Sequence, residues 1–213
     1  MEVFYTDSLR EREFEQILSV LRAGGVIGFP TDTAYGLGAD PFNEHAVSQI
    51  FSIKGRPEDK PILLLVDSLE MTERITLPNP WFHVAARAFW PGPLTMILRT
   101  TVFPSNVTAG AGTVGVRWPA APFAVELVRR FGNPITATSA NRSGSPSCIT
   151  AEEVRAQLGG SIEMLIDGGE LPSRGGSTLL DLTAGMPTLR REGPVTFETL
   201  RNVFGSNLRK ASS

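Results

Sequence analysis

Cysteine, histidine and lysine are almost missing from this chain of 213 residues. The single cysteine, Cys148, excludes an internal disulfide, and with only His45 and His83 beside it no zinc set can be assembled. No histidine lies near Cys148 in the sequence to argue for an activated thiol. No apolar run approaches the length that spans a bilayer, and Met1-Glu2-Val3-Phe4 lacks the basic-then-apolar pattern of a signal segment. A cytoplasmic protein without membrane contact is therefore expected. Neither sign of charge is in excess: 20 basic residues face 22 acidic ones for a net charge of -2, which argues against bulk binding to nucleic acid. Aromatic residues make up only 8% of the chain, few faces for stacking bases. The usual phosphate-binding signatures are also missing. No Gly-x-x-x-x-Gly-Lys-Ser/Thr element occurs, and Gly36-Leu37-Gly38-Ala39-Asp40-Pro41 fails the Gly-x-Gly-x-x-Gly pattern.

What is present is a chain that is 41% apolar and long enough to bury a substantial core, with no break in composition to divide it. The periodicity alternates helices and short apolar strands, the pattern of an α/β domain over residues 1–205, followed by a polar tail, 206–213, expected to fray. Helices are expected over 8–21, opened by a Ser8/Glu11 capping box, after Asn43, over 68–75, 80–89 and 123–131, and after Thr150 with Glu153. Strands are expected at 26–29, 62–66, 94–98, 114–119 with Pro119 closing it, 135–137, 162–166 and 179–182. Residues 100–112 are polar and turn-rich, a candidate lid.

The chemistry-bearing residues gather in loops between these elements. Residues 30–38 and 138–144 are dense in hydroxyls and glycines, and Arg174-Gly175-Gly176-Ser177-Thr178 places glycine amides where a nest for an anion can form. Only three basic residues are lysine, and two of them, Lys54 and Lys60, flank Arg56 in a window ending at Pro61. A compact ammonium beside a planar guanidinium suits a multiply charged anion, while Glu58 and Asp59 suit a solvated charged loop. Arg117 lies near the end of an apolar strand, a costly place unless it meets an anion or a carboxylate. Arg190 and Arg191 sit together at another strand end. Together these loops amount to a hydroxyl-lined anion pocket of no standard type.

Six segments resemble, in order and across residues of about 10 to 200, the YrdC-like family of threonylcarbamoyl-AMP synthases (TsaC type). They are Pro30-Thr31-Asp32-Thr33-Ala34-Tyr35-Gly36-Leu37, Lys54-Gly55-Arg56-Pro57 with Lys60-Pro61, Trp90-Pro91-Gly92-Pro93-Leu94-Thr95, Arg117-Trp118-Pro119, Ser139-Ala140-Asn141-Arg142-Ser143-Gly144 and Ser177-Thr178-Leu179-Leu180-Asp181. The resemblance is to the short members, without the extra C-terminal domain of longer ones. It implies a single α/β domain in which helices flank a twisted, open mixed sheet around a positively charged concave site. It also implies a nucleotidyltransferase that joins L-threonine, bicarbonate and ATP into threonylcarbamoyl-adenylate and pyrophosphate. A partner complex would then move the threonylcarbamoyl group onto tRNA beside the anticodon, which leaves room for a weak direct contact with tRNA.

By the same resemblance, Lys54, Arg56, Ser139 and Asn141 handle the reacting phosphates, with Lys60, Thr138 and Arg191 completing the ATP site. Arg191 is preferred to Arg190 because Arg191-Glu192-Gly193 keeps the family's arginine-x-glycine spacing. Thr33, Tyr35, Arg117 and Ser177 hold threonine and its new carboxylate. Mg²⁺ is expected mainly on the ATP phosphates, with no metal ligand from protein side chains. Trp118 departs from the family, where a smaller aliphatic residue is usual. Two alternatives stand beside this reading: a non-catalytic RNA-binding or ribosome-maturation module, and a carbamoyl-transfer relative like that in the much longer, zinc-bearing hydrogenase maturation proteins.

Overall fold

The computed structural model describes residues 1–57, 61–172 and 175–211. The chain begins with strand β1 (Glu2–Tyr5), helix α1 (Glu11–Arg22) and the short strands β2 (Ile27–Phe29) and β3 (Gly36–Gly38), then α2 (Glu44–Lys54) and β4 (Leu63–Leu65). Helices α3 (Leu69–Ile75) and α4 (Pro80–Phe89) lead to β5 (Leu94–Arg99), α5 (Ser105–Thr108), β6 (Thr113–Arg117) and α6 (Pro122–Phe131). Strands β7 (Ile135–Thr136) and β8 (Thr138–Ser139) precede α7 (Ala151–Leu158) and β9 (Met164–Asp167). The last elements are β10 (Thr178–Asp181), β11 (Thr188–Arg191), α8 (Phe197–Phe204) and β12 (Arg209–Lys210).

Most helices start where a short polar side chain can accept an otherwise orphaned amide. Asn43 accepts from the Ala46 amide, Ser68 from Met71, Asn79 from Phe82 and Thr150 from Glu153, each such cap contributing roughly 1 kcal/mol. The first helix departs from expectation. Residues 6–8 form a 3-10 turn, so Ser8 caps nothing, and the Glu13 carboxylate instead accepts from the Arg10 amide at 2.9 Å. Helix α2 ends at Gly55, whose φ of 59° is a left-handed turn that costs glycine little.

Among the described residues the strands form two mixed sheets, ordered β1-β9-β2-β3-β8 and β12-β11-β10-β5-β6-β4-β7. The two sheets are joined where β7, in one, passes through Ala137 directly into β8, in the other. Ala137 stays tied to the sheet it leaves, its amide donating to the Leu63 carbonyl at 2.9 Å. Strand alternation then sorts the side chains. Along β5 and β6, Met96, Leu98, Val114 and Val116 point into the core, while Thr95, Ile97, Thr113 and Arg117 point the other way, toward a cavity.

One expectation about the chain's periphery fails within the described residues; residues 212–213 of the expected tail lie outside them. Residues 206–211 do not fray: Leu208 is buried and β12 pairs in parallel with β11, Leu189 opposite Lys210. Residues 100–112, the candidate lid, are anchored to the body of the protein in this structure. Val107 is fully buried, its carbonyl accepts from the Ile62 amide at 3.0 Å, and Phe103 stacks on Phe42 with ring centres 4.9 Å apart. None of these residues lines the cavity described next.

Candidate active site

A cavity of about 470 Å³ opens between the two sheets. Its floor is one face of β5 and β6, where Gly115 leaves room: a Cβ there would stand 3.2 Å from the Thr95 methyl. Its sides come from the 31–36 segment, from Arg56 and Pro61, from Thr138 and Ser139, and from the Gly176-Ser177 turn with Arg191. Among the described residues its lining holds three arginines, Arg56, Arg117 and Arg191, and no carboxylate.

Arg117 is the most constrained of these cations. Its side chain is 2% exposed, although β6 is otherwise apolar. Nη1 donates to the Thr33 hydroxyl at 2.8 Å, Nη2 lies 3.6 Å from Asp32 Oδ1, and Nε has no hydrogen-bond partner among the described residues. Both Asp32 oxygens are buried and likewise accept no hydrogen bond. Burial pulls the Arg117 pKa down, with the Asp32 carboxylate opposing the shift; a guanidinium starts high enough to stay charged. A buried cation facing a loose counter-ion at that separation lacks the close hydrogen-bonded geometry that offsets desolvation, so its donors suit an incoming anion.

Around Arg117 the hydroxyls are held in place. Ser177 Oγ and Thr95 Oγ1 share a hydrogen bond of 2.6 Å inside the cavity wall. Thr31 Oγ1 donates to the Ala34 carbonyl at 2.6 Å and lies 3.2 Å from the Thr33 hydroxyl, which fixes the turn carrying Thr33. Tyr35 lines the cavity, but its hydroxyl is committed elsewhere, donating to the Gly169 carbonyl at 2.8 Å and accepting from the Gly168 amide at 2.9 Å. Burial pushes its phenol pKa up, so it stays neutral.

Arg191 and Arg190 separate cleanly. Arg191 lines the cavity and donates to the Ser177 carbonyl at 2.9 Å, lying across Gly176, where a Cβ would come within 3.0 Å of its guanidinium. Arg190 points elsewhere and pairs with Asp181 at 2.7 Å. The glycine nest is only partly available, because the Thr178 amide donates to Pro93 and its hydroxyl to Val195. Trp118 packs against the core and does not line the cavity.

Lys54 and Asn141 also stand outside the cavity lining. The Lys54 ammonium is buried and donates to the Ser139 carbonyl, to the Asn141 carbonyl at 2.8 Å and to Asn141 Oδ1 at 3.3 Å. Asn141 spends its own amide on the carbonyls of Arg142 and Ser145. Burial pushes the Lys54 pKa down to about 8. Lys60 and Arg174 lie outside the described residues. Asp32 and Thr95 were not singled out as site residues from the sequence. Their signal was relational: Asp32 is the carboxylate that a buried Arg117 demands, and Thr95 the hydroxyl opposite Ser177.

The Sua5/YciO/YrdC family model, described as "Telomere recombination", matches residues 19–193. The threonylcarbamoyl-AMP synthase of Pyrococcus abyssi is 42% identical over 187 residues, 87% of this chain and 55% of that relative. A putative threonylcarbamoyl-AMP synthase of Mycobacterium tuberculosis is 37% identical over 198 residues, 92% of this chain and 91% of the relative. The crystal structure of P. abyssi Sua5 complexed with L-threonine superposes with a TM-score of 0.94 at 38% identity, covering 99% of this chain and 63% of that one. The chain thus spans little more than half the length of its Pyrococcus relative. On this match, the chain belongs to the Sua5/YciO/YrdC family.

Proposed function

We propose that the protein is an L-threonylcarbamoyladenylate synthase acting in the cytoplasm. Threonine's amine, freed of its ammonium proton, forms an N–C bond to the carbon of bicarbonate, whose C–OH bond breaks, the hydroxyl leaving as water with a proton from the amine, to give an N-carboxylate. An oxygen of that carboxylate attacks the α-phosphorus of ATP, the new O–P bond forms, and the bond to the bridging oxygen breaks to release pyrophosphate. Both reactants are anions, so the site must hold them in line and offset their repulsion.

The observation that carries this reading is Arg117: a buried, incompletely paired cation on a cavity floor, with the hydroxyls of Thr33 and Ser177 in the same cavity. These three groups would hold the threonine carboxylate and the nascent N-carboxylate, with Tyr35 in the adjoining wall. Arg56, Arg191, Thr138 and Ser139 would face the nucleotide on the other walls. The relative crystallised with L-threonine supports the choice of amino acid. Mg²⁺ would ride on the ATP phosphates, as it does where it is held mainly by substrate oxygens. Bound there, it would neutralise charge on the departing pyrophosphate. The product would pass to a complex that transfers the threonylcarbamoyl group to tRNA.

The test is pyrophosphate release by the purified protein. Turnover is expected only when ATP, L-threonine and bicarbonate are present together. Release of equal size without threonine, or none with all three, overturns the reading.

A further inference from the structure

We infer that Lys54 is a positioning residue: it sets the Ser139 edge of the cavity from behind through carbonyl groups, and does not itself touch the nucleotide. The inference rests on the synthase reading for what that edge does, but its geometry stands alone. Lys54 is the last residue of α2, and the left-handed turn at Gly55 lets the chain swing Arg56 to the cavity while Lys54 stays inside. An ammonium has three N–H donors. Here three acceptors surround it, all on residues 139 and 141. With those bonds made, no donor remains for a phosphate. The main chain adds a fourth tie, because the Lys54 carbonyl accepts from the Ser143 amide at 2.8 Å.

The segment so held has the shape of a bracket. One end is fixed where Thr138 pairs with Leu37 and the Ala140 amide donates to the Tyr35 carbonyl at 2.7 Å. The other end is fixed by the Asn141 side chain, which bridges the Arg142 and Ser145 carbonyls. Between them Ser139 reaches the cavity, so losing the ammonium would free the part of the bracket that faces the substrate. The partners of Lys54 are neutral dipoles, not carboxylates, so its charge is solvated without being cancelled, and the field still reaches across the loop. This suits a lysine at the spot: an ammonium turns its three donors onto acceptors of residues 139 and 141 at one point, which the flat fork of a guanidinium matches less well.

Lys54→Met, Ser139→Ala and the double variant, with Lys54→Arg as a second substitution should the first fail to fold, test this. Amide hydrogen exchange of the ligand-free protein is read at Ala140, Asn141 and Ser143. It is expected to speed up by at least about tenfold in both Lys54 variants. In turnover, Lys54→Met is expected to lose at least about tenfold in kcat/KM for ATP while threonine affinity stays within about twofold. The double variant is expected to lose no more than Lys54→Met alone, since the two groups act as a unit. Unchanged exchange, or losses that multiply in the double variant, would overturn the inference and return Lys54 to the phosphates. Wild-type protein that shows no threonine-dependent turnover would sink the synthase reading instead, and the exchange data would still decide the bracket.

Discussion

Lys54 and Arg117 are both buried cations reached through neighbouring strands and loops, yet they are solvated in opposite ways. Lys54 meets three carbonyl oxygens, one for each of its protons, and lies behind the cavity wall. Arg117 meets one hydroxyl and a carboxylate too far for a good hydrogen bond, has no partner for Nε among the described residues, and lies on the cavity floor. Burial alone therefore does not distinguish scaffold from site. The count of satisfied donors does, because a cation whose donors are all occupied would have to break existing bonds to greet a substrate, whereas one left short gains by binding.

The largest effect that would break this comparison is expected at Arg117. Arg117→Met should cost at least about a hundredfold in kcat/KM for threonine, near 2.7 kcal/mol of transition-state stabilisation. It also strands the buried Asp32 carboxylate, so denaturant unfolding should show a loss of about 3–5 kcal/mol, with Arg117→Met/Asp32→Asn recovering part of it. A variant with full threonine turnover would make Arg117 a structural ion pair like any other.

Next comes the titration of Lys54. Its pKa falls from an ordinary 10.5 to about 8 on folding, so between those values the unfolded chain holds a proton that the folded chain has released. Stability should therefore rise with pH across that window, relative to Lys54→Met, by on the order of 3 kcal/mol when complete. Below about pH 8 both states are charged and the burial penalty is fully present. A flat difference between the two proteins from pH 8 to 10.5 would mean that the three carbonyls offset the cost of burying the ammonium.

The adjacent arginines sharpen the same contrast on a smaller scale. Arg191→Ala should raise KM for ATP by about tenfold, because a cavity-lining guanidinium is removed. Arg190→Ala should leave kinetics within about twofold and cost about 1 kcal/mol or less in thermal unfolding, because its partner Asp181 keeps two hydrogen bonds from Thr183. Equal kinetic losses at both positions would blur the assignment of Arg191 to the cavity.

How much of this was legible beforehand depended on distance along the chain. Helix α4 has the expected bounds, and the caps at Asn43, Ser68 and Thr150 form as their local spacing implies. Strands β3 and β8 were read as loops because each is three residues or fewer and their pairing joins Leu37 to Thr138, a contact no local period can reveal. The Ser8/Glu11 box was lost to a competing local turn that shifted the helix start. At the site, Arg117 was visible as a charge in an apolar strand, and its carboxylate partner was anticipated in kind but not in place. Lys54 could not be placed from the sequence for a physical reason: lysines around an arginine look the same whether the ammonium faces phosphate or, as in the structure, carbonyls contributed by residues 85 and 87 positions away.

The most direct measurement is the fate of bicarbonate carbon. Wild-type protein supplied with ATP, Mg²⁺, L-threonine and ¹³C-bicarbonate should yield an acyl-adenylate that mass spectrometry finds heavier by the one labelled carbon, and leaving out threonine should abolish it. A threonyl-adenylate without the label, or AMP formation with no labelled adduct captured under conditions where authentic adduct survives, would contradict the account.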